Sequence, residues 1–169
     1  MTTIIILTGP PAAGKNTIAS LLAQRVPRCA IIDVDLVRWM VVQPHKAPWE
    51  GDEGKNQQLL GIRNACQLAH NFIEADFNVL ILDVLSQDTA LLYKLLLAPH
   101  KPAIVLLQPT FAEIASRNRL RPRLTDEQIR MLYKQCADFT DYDERIDNTN
   151  VPAEQIALQL IPFIQPKST

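Results

Sequence analysis

Short apolar runs alternate with amphipathic segments along most of this chain. Strands are predicted at Thr3–Thr8, Cys29–Asp33, Val79–Val84, Ala103–Leu107 and Arg145–Asp147. Helices are predicted at Gly14–Arg25, Leu36–Val42, Lys55–Ala75, Thr89–Leu97, Phe111–Leu120, Asp126–Phe139 and Ala153–Ile164. Strands that are apolar on both faces and alternate with helices are typical of a parallel sheet covered on each side. The pattern therefore predicts an α/β fold.

Helix starts and irregular segments refine this pattern. Thr110 and Thr125 are each followed after three residues by Glu or Gln, which predicts a capping box at both positions. Residues 43–54 carry two prolines and two glycines, and we expect a loop over the functional site. Residues 121–125 separate two helices with a proline and basic side chains. Neither segment is long enough to be a linker, so residues 1–169 are predicted to form one domain.

The composition narrows the classes of partner. Of the 169 residues, 47% are hydrophobic and 21% are charged, and the formal net charge is −1. No global field attracts nucleic acid or an anionic membrane, so any attraction to phosphate has to be local. The N-terminal apolar run is too short for a signal sequence or a membrane span. Scattered cysteines and histidines argue for reduced thiols in a cytoplasmic protein and against a structural zinc site. The oligomeric state stays open.

The most informative motif follows the first predicted strand. Residues Gly9–Thr17, GPPAAGKNT, stand between that strand and an amphipathic segment, which is the context of a phosphate-binding P-loop. Glycines at both ends let backbone N–H groups converge on phosphate oxygens, and the next helix adds the positive end of its dipole. Lys15 supplies a charge for the β- and γ-phosphates. A Gly/Pro turn before an ordinary helix is the alternative; a nucleotide site is favoured because strand and helix are both in place.

Two positions are candidates for holding a metal ion. Ser or Thr ordinarily follows the P-loop lysine and ligates Mg²⁺, whereas this chain has Asn16, with Thr17 one residue later. The metal would then be held through water or by the Asn16 amide oxygen. Asp83 follows the apolar run Val79–Leu82, as the acid of a Walker B strand does, and is the second candidate.

An acid also follows the second predicted strand, and ligands of parallel sheets collect at the carboxyl ends of the strands. Asp35 at this edge could deprotonate an acceptor hydroxyl or hold it in line with a γ-phosphate. Arg38, three residues later, would face the same way. The alternative makes Asp35 a helix N-cap and Arg38 a solvated charge. Trp39, Met40 and Trp49 could line an acceptor pocket or could equally pack in the core or a loop.

The segment 117–123 holds four arginines. Arg117 and Arg121 are four residues apart on a predicted helix, so both could reach one phosphate chain, whose oxygens match the guanidinium fork. Pro122 ends the helix and permits a small mobile lid at about residues 117–125. A basic surface turn is the alternative.

Together these motifs resemble those of P-loop kinases, the group that includes adenylate-kinase-like and shikimate-kinase-like enzymes. The loop is similar to the adenylate kinase form with Gly-Lys-Gly-Thr, where the residue after the lysine also lacks a hydroxyl. The closer resemblance, carried by Asp35 and Arg38, is to the branch of phage-type polynucleotide 5′-kinases, chloramphenicol phosphotransferase and zeta-toxin-like kinases. Residues 117–121 and 129–134 are similar to the lid and the following helix of the polynucleotide kinases.

The resemblance implies a three-layer α/β/α P-loop NTPase with a five-stranded parallel sheet in the order 2-3-1-4-5. It also implies ATP with Mg²⁺ as the phosphoryl donor and Asp35 as the acceptor base. Thr17 would contact the α-phosphate, and Asn148 would lie in the segment 146–150 that borders adenine. The expected nucleotide-binding residues are Gly9, Pro11, Ala12, Ala13, Gly14, Lys15, Asn16, Thr17, Arg117 and Asn148.

Three functional hypotheses follow. The first is an ATP-dependent kinase that phosphorylates a hydroxyl of a small molecule, with Asp35, Lys15, Arg117 and Arg121 as catalytic residues. The second is a polynucleotide 5′-hydroxyl kinase, against which the near-zero net charge argues. The third is an ATP-binding module without catalysis, a function compatible with Asn16. A phosphate acceptor is disfavoured because the carboxylate of Asp35 would repel it. The sequence does not identify the acceptor.

Overall fold

The computed structural model describes residues 2–120 and 124–164 and contains a five-stranded parallel sheet. The strands are β1 (Ile4–Thr8), β2 (Cys29–Asp33), β3 (Asn78–Leu82), β4 (Ala103–Leu107) and β5 (Glu144–Ile146). They lie in the order β2-β3-β1-β4-β5, and all neighbouring pairs are parallel. The predicted α/β sheet and its strand order are confirmed, with strand ends shifted by two residues at most.

Helices connect the strands throughout the described part of the chain. They are α1 (Lys15–Ala23), α2 (Val34–Arg38), α3 (Gly51–Glu74), α4 (Gln87–Leu96), α5 (Phe111–Leu120), α6 (Asp126–Ala137) and α7 (Ala153–Ile164). A short 3₁₀ turn, Ala98–His100, lies between α4 and β4. Within residues 2–120 and 124–164, every helix is too short or too polar to cross a lipid bilayer.

Alternate residues of the strands face two separate cores. Ile4 and Ile6 of β1 belong to a buried cluster with side chains of α3 and α4. Ile5 and Leu7 belong to a second cluster with side chains of α1 and α7. All five residues of β1 are buried, because this strand is paired on both edges and covered on both faces. The three-layer α/β/α architecture is therefore confirmed.

The start of α2 differs from its prediction. The helix begins at Val34 rather than Leu36, since the carboxylate of Asp33 is its N-cap and accepts from the backbone N–H of Asp35 at 3.0 Å. The alternative in which Asp35 caps the helix is wrong. The helix also ends at Arg38, so the predicted continuation to Val42 is wrong as well.

The loop expected at residues 43–54 lies at residues 39–50 instead. Helix α3 begins at Gly51 instead of Lys55, so residues 51–54 are helical. Asp52 and Glu53 lie in its first turn, where negative charge stabilises the positive end of the helix dipole. Because α2 also ends early, residues 39–50 separate α2 from α3, and the loop keeps its predicted length.

Capping boxes start two of the other helices. Thr125 and Gln128 form the box predicted at the start of α6. Ser86 forms a second box with Thr89, which the sequence analysis missed, and it moves the start of α4 from Thr89 to Gln87. The remaining helix ends differ from the predictions by two residues or fewer.

The predicted lid lies partly outside the described residues. Residues 117–120 are the last turn of α5, and 124–125 lead into α6, whereas residues 121–123, including Arg121, are outside the described part of the chain. The capping box predicted at Thr110 is only half formed. The backbone N–H of Glu113 donates to the Thr110 hydroxyl at 3.4 Å, but the Glu113 carboxylate bonds Arg117 instead.

Candidate active site

The P-loop joins β1 to α1 and is bent by three residues with positive φ: Gly9 (148°), Ala12 (63°) and Gly14 (94°). A methyl group on Gly9 would overlap the carbonyl oxygen of Leu107 at the end of β4, so this position requires glycine. The backbone therefore has the tight curvature that a phosphate cradle needs.

The N-terminus of α1 opens on this loop. Gly14 is its N-cap, and within the described residues no side chain caps the helix and no acid lies in its first turn. The N–H groups of that turn and the helix dipole together favour an anion. Thr17, predicted to contact an α-phosphate, is exposed in this first turn.

The ammonium group of Lys15 lies against the P-loop backbone. It donates to the carbonyl oxygens of Gly9 at 2.7 Å and Pro10 at 3.1 Å. Burial lowers the pKa of Lys15, and negative charges around it, including those of Asp35 and Asp83, oppose that shift. The P-loop lysine, the predicted base and the predicted metal ligand thus belong to one site.

Asp33 links the P-loop to α2, a role that the sequence analysis missed. One of its carboxylate oxygens accepts from the Asn16 amide nitrogen at 2.7 Å, while the other caps α2 through the N–H of Asp35 at 3.0 Å. The signal was available, because an acid that directly precedes a helix is a preferred N-cap. Asn16 therefore acts here as a donor to Asp33, and its role toward a metal stays a prediction.

Asp35 and Arg38 face the same way, as their spacing predicts. Arg38 Nη1 donates to Asp35 Oδ1 at 3.1 Å. The Arg38 side chain is only 12% exposed, and its stem packs so closely on Gly61 that a methyl group there would lie 2.5 Å from Arg38 Cγ. The Asp35 side chain is 69% exposed. A fixed cation thus holds a carboxylate that an incoming group can reach, and Arg38 is not the solvated charge of the alternative.

Asp83 is buried at the end of β3. The backbone N–H of Val84 donates to its Oδ1 at 2.8 Å, and the hydroxyl of Tyr93 donates to its Oδ2 at 2.9 Å. Burial raises the pKa of Asp83 to about 6, although both hydrogen bonds favour the ionised form. Tyr93 comes from α4, and the sequence analysis did not single it out; a buried tyrosine hydroxyl requires a partner, but spacing does not say which one.

A metal ion would find oxygen donors here but no dense ligand cluster. Among residues 2–120 and 124–164, no group of three or more His, Cys, Asp or Glu side chains is placed to hold a metal. Mg²⁺ commonly uses one or two carboxylates and keeps several waters, so Asp83 and Asn16 fit such a site. Their assignment as metal ligands stays a prediction.

Two residues distant in sequence meet the outer end of the P-loop. Arg117 Nη1 donates to the carbonyl of Ala12 at 3.2 Å, and its Nε donates to Glu113 Oε1 at 2.8 Å. Asn148 Nδ2 donates to the carbonyl of Ala13 at 2.8 Å, while its buried Oδ1 has no hydrogen-bond partner among the described residues. Both predicted nucleotide-binding residues therefore lie beside the loop.

A cavity of about 940 Å³ adjoins the P-loop. Its walls come from the loop, the ends of β2 and β3, α2, the segment that precedes α3, the first turns of α3 and α4, and α6. The candidate residues among its lining are Pro11, Ala12, Lys15, Asn16, Asp35, Arg38, Trp39, Trp49 and Asp83. Trp39 is 63% exposed and Trp49 is 40% exposed, so neither packs in the core. Met40 is exposed as well, but it does not line the cavity, so its predicted place in an acceptor pocket is wrong.

Comparison with known proteins gives matches only at the level of structure. No protein-family model matches the sequence, and no curated protein matches it. The APS kinase CysC of Mycobacterium tuberculosis, in complex with AMPPNP and APS, has a TM-score of 0.76 at 13% identity, covering 96% of each chain. A sugar kinase from Janibacter sp. HTCC2649 has a TM-score of 0.73 at 16% identity, covering 98% of this chain and 97% of its own.

Shikimate kinase from Acinetobacter baumannii, in complex with shikimate, has a TM-score of 0.60 at 18% identity over 96% of this chain and 92% of its own. At such identities the likeness is one of fold. The chain has the fold of the P-loop kinases, and its bent glycine loop with Lys15 lies at the carboxyl end of β1, between β1 and α1.

Proposed function

We propose that the protein is an ATP-dependent kinase that transfers the γ-phosphoryl group to a hydroxyl of a small molecule. The observation that carries this proposal is the junction of the P-loop with a cavity whose wall includes the exposed carboxylate of Asp35. A nucleotide seated on the loop would present its terminal phosphate to that cavity. The structural neighbours named as APS kinase and shikimate kinase support a small-molecule acceptor.

The donor side of the site fits ATP. The bent loop and the uncapped start of α1 offer backbone N–H groups to the phosphates, and Lys15 would neutralise the β- and γ-phosphates. Thr17 is proposed to contact the α-phosphate. Arg117 and Asn148 lie at the outer end of the loop, which supports a place for them beside the remainder of the nucleotide.

Mg²⁺ bound with ATP would compensate the negative charge of the phosphates. Asn16 and Asp83 are proposed to hold it, directly or through water, and both line the same cavity. Asp33 accepts from the Asn16 amide nitrogen, which fixes Asn16 beside the P-loop lysine.

On the acceptor side, Asp35 is proposed to orient the hydroxyl and take its proton as the new bond to phosphorus forms. Arg38 holds the Asp35 carboxylate in place through the contact at 3.1 Å. Arg117, together with Arg121, is proposed to neutralise the charge that develops on the transferring group. Trp39 and Trp49 are proposed to contact the acceptor.

The first test identifies the acceptor. The protein would be incubated with labelled ATP, Mg²⁺ and a panel of metabolites, antibiotics and 5′-hydroxyl oligonucleotides, and each product would be separated and counted. Label transferred to a small alcohol supports the proposal. Tight ATP binding without transfer to any member would instead indicate a nucleotide-binding module.

The second test removes the proposed base. Asp35→Asn is expected to lower kcat about a hundredfold or more with ATP affinity unchanged, because only proton acceptance and hydroxyl orientation are lost. Asp52→Asn, an exposed acid in the first turn of α3, is the matched control and should leave kcat unchanged. Calorimetry measures ATP affinity and labelled product gives kcat. Unchanged turnover in Asp35→Asn would remove this residue from the mechanism.

One alternative is supported by a specific contact. The Asp35–Arg38 pair matches the spacing found in the polynucleotide 5′-kinases that the sequence resembles, and the two side chains do meet. Labelling of a 5′-hydroxyl oligonucleotide that Arg38→Ala abolishes would favour that function over a small-molecule kinase.

A further inference from the structure

We propose that the acceptor is an uncharged alcohol bearing a planar aromatic ring, and that this ring stacks on Trp39. The inference rests on the kinase function proposed above and narrows its acceptor to a chemical class. Four features of the cavity wall support it. They are the ordered indole of Trp39, its spacing from Asp35, the exposed apolar side chains beside it, and the charges of the wall.

Trp39 is a stacking surface that is ordered in advance. Its indole lies on the imidazole of His45, with ring centroids 3.8 Å apart and planes inclined by 9°. The His45 ring is fixed in turn by a contact of 3.2 Å between its Nδ1 and the carbonyl of Val41. Trp39 nevertheless remains largely exposed and lines the cavity. Because the indole is already immobilised by His45, a second ring that stacks on it loses little additional entropy.

The indole stands beside the proposed base. Trp39 follows Asp35 by four residues, and its backbone N–H donates to the backbone carbonyl of Asp35 at 2.9 Å, so the two side chains are one helical turn apart. Side chains at this spacing have Cβ atoms about 5–6 Å apart. A ring stacked on Trp39 therefore brings a hydroxyl on its substituent within reach of the Asp35 carboxylate.

Several large apolar side chains around Trp39 are exposed and line the cavity. Both tryptophans of the chain line this one cavity, and Leu36 and Met131, which are also exposed, join them. Large apolar side chains that gather at an open cavity, rather than scatter over the surface, indicate a binding site for an apolar group.

The charges of this wall disfavour an anionic acceptor. Of the described lining residues away from the P-loop and the two strand ends, Asp35, Glu50 and Asp88 are acidic, whereas Arg38 and Lys55 are basic. Arg38 is already paired with Asp35. Glu50 likewise lies 3.7 Å from Lys46. The charges of this wall therefore nearly balance, and a sulfate, phosphate or carboxylate on the acceptor would meet no cluster of cations, which favours neutral alcohols.

The experiment measures the binding of matched probes to the 169-residue protein in the presence of Mg²⁺ and a non-hydrolysable ATP analogue. Tryptophan fluorescence reports the binding. Uridine is compared with 5,6-dihydrouridine, and 2-phenylethanol with 2-cyclohexylethanol, because saturation of the ring in each pair removes the planar π-face and leaves the ring atoms and the hydroxyl groups the same. Uridine 3′-phosphate adds a charge to uridine. We expect an aromatic member to bind about fivefold or more tightly than its saturated partner, and the phosphate to give no gain.

Variants locate the effect. Trp39→Ala should remove the preference for the aromatic probe, and Trp39→Phe should keep most of it. Met40→Ala is the matched control, since Met40 is 73% exposed in the same surface but does not line the cavity. If Trp39→Ala and Met40→Ala both change the association state in sedimentation and neither changes probe binding, the surface docks a second copy of this chain and the proposal is overturned.

The remaining outcomes separate this inference from the kinase proposal. Equal binding within both pairs, no binding by either aromatic probe, or a large gain for uridine 3′-phosphate overturns the inference. Labelled product formed only with acceptors that lack a ring also overturns it and leaves the kinase function standing. Tight, Trp39-dependent binding of an aromatic alcohol without phosphoryl transfer would overturn the kinase function and leave the aromatic binding site standing.

Discussion

At the scale of single residues, the site combines positions that spacing reveals with contacts that it does not. Lys15, Asp35 and Asp83 were predictable because each follows a strand whose apolar pattern is plain in the sequence. The donation from Tyr93 to Asp83 and the packing of Arg38 on Gly61 were not, because both join elements whose approach depends on the folded core. The sequence therefore reveals the candidate residues of the site better than the contacts that hold them in place.

The buried carboxyl of Asp83 makes stability depend on pH in a definite direction. Burial raises its pKa from 3.8 to about 6 in the folded protein. The folded state thus binds the proton more tightly than the unfolded chain, so stability falls as the pH rises from about 4 to about 6 and stays lower above that range. At 1.36 kcal/mol per pKa unit, the penalty above pH 6 is up to about 3 kcal/mol.

Asp83→Asn should therefore raise the free energy of unfolding at pH 8 by up to about 3 kcal/mol and change it little at pH 4. An amide can still accept from Val84 and donate to Tyr93, so the fold should be kept. Urea denaturation at both pH values measures the effect, and Asp76→Asn, an exposed acid, is the control. Equal changes at pH 4 and pH 8 would contradict the assignment.

At the scale of elements, the five-residue helix α2 is the most dependent on its neighbours. An isolated helix of this length is unstable in water, so its ends have to be held by other groups. Asp33 caps its start, and Arg38 at its end is packed on α3 through Gly61. The sequence pattern located this helix but misplaced its start, because Asp33 and Asp35 are both plausible caps and only the direction of the chain leaving β2 decides between them.

Loss of the Asp33 cap should affect both folding and turnover. Asp33→Ala removes the bonds to Asp35 N–H and to Asn16, and should lower stability by about 1 kcal/mol and also lower kcat, because Asp35 and Asn16 lose their support. Asp33→Ser keeps a capping oxygen and should recover most of the stability but less of the turnover. Urea denaturation and labelled-product assays measure the two effects; equal stability of the Ala and Ser variants would count against the cap.

At the scale of the whole molecule, the sheet positions the site. The order of the strands places β1 between β3 and β4, so the P-loop emerges beside the acid of β3 and against the last carbonyl of β4. This arrangement could be foreseen from the resemblance to P-loop kinases and from the apolar strands. The depth of Asp83 and the reach of Asn148 to the loop required the assembled sheet, since they depend on parts of the chain far apart in sequence.

The contact of the P-loop with β4 can be tested with two glycines. Gly9→Ala should weaken ATP binding at least tenfold or lower stability by more than about 2 kcal/mol, because the added methyl group overlaps the Leu107 carbonyl and φ is positive. Gly51→Ala also has positive φ, at 72°, but meets nothing within 4 Å, and should cost about 1 kcal/mol with ATP binding intact. Calorimetry and urea denaturation measure both variants. Similar results for the two would show that the loop is not seated on β4.

The burial of β1 has a consequence for how such a protein can change over evolutionary time. The proposed donor half of the cleft is anchored in β1, whose five residues are all buried, whereas the proposed acceptor half is built from a five-residue helix and the connection that follows it. Apart from Val34 and Val37, which are buried against the sheet, substitutions in residues 34–50 can therefore accumulate without disturbing it. One ancestral nucleotide-binding site could in this way be combined with many different acceptor sites. Each change of acceptor would require new side chains in residues 34–50, and the sheet would stay unchanged.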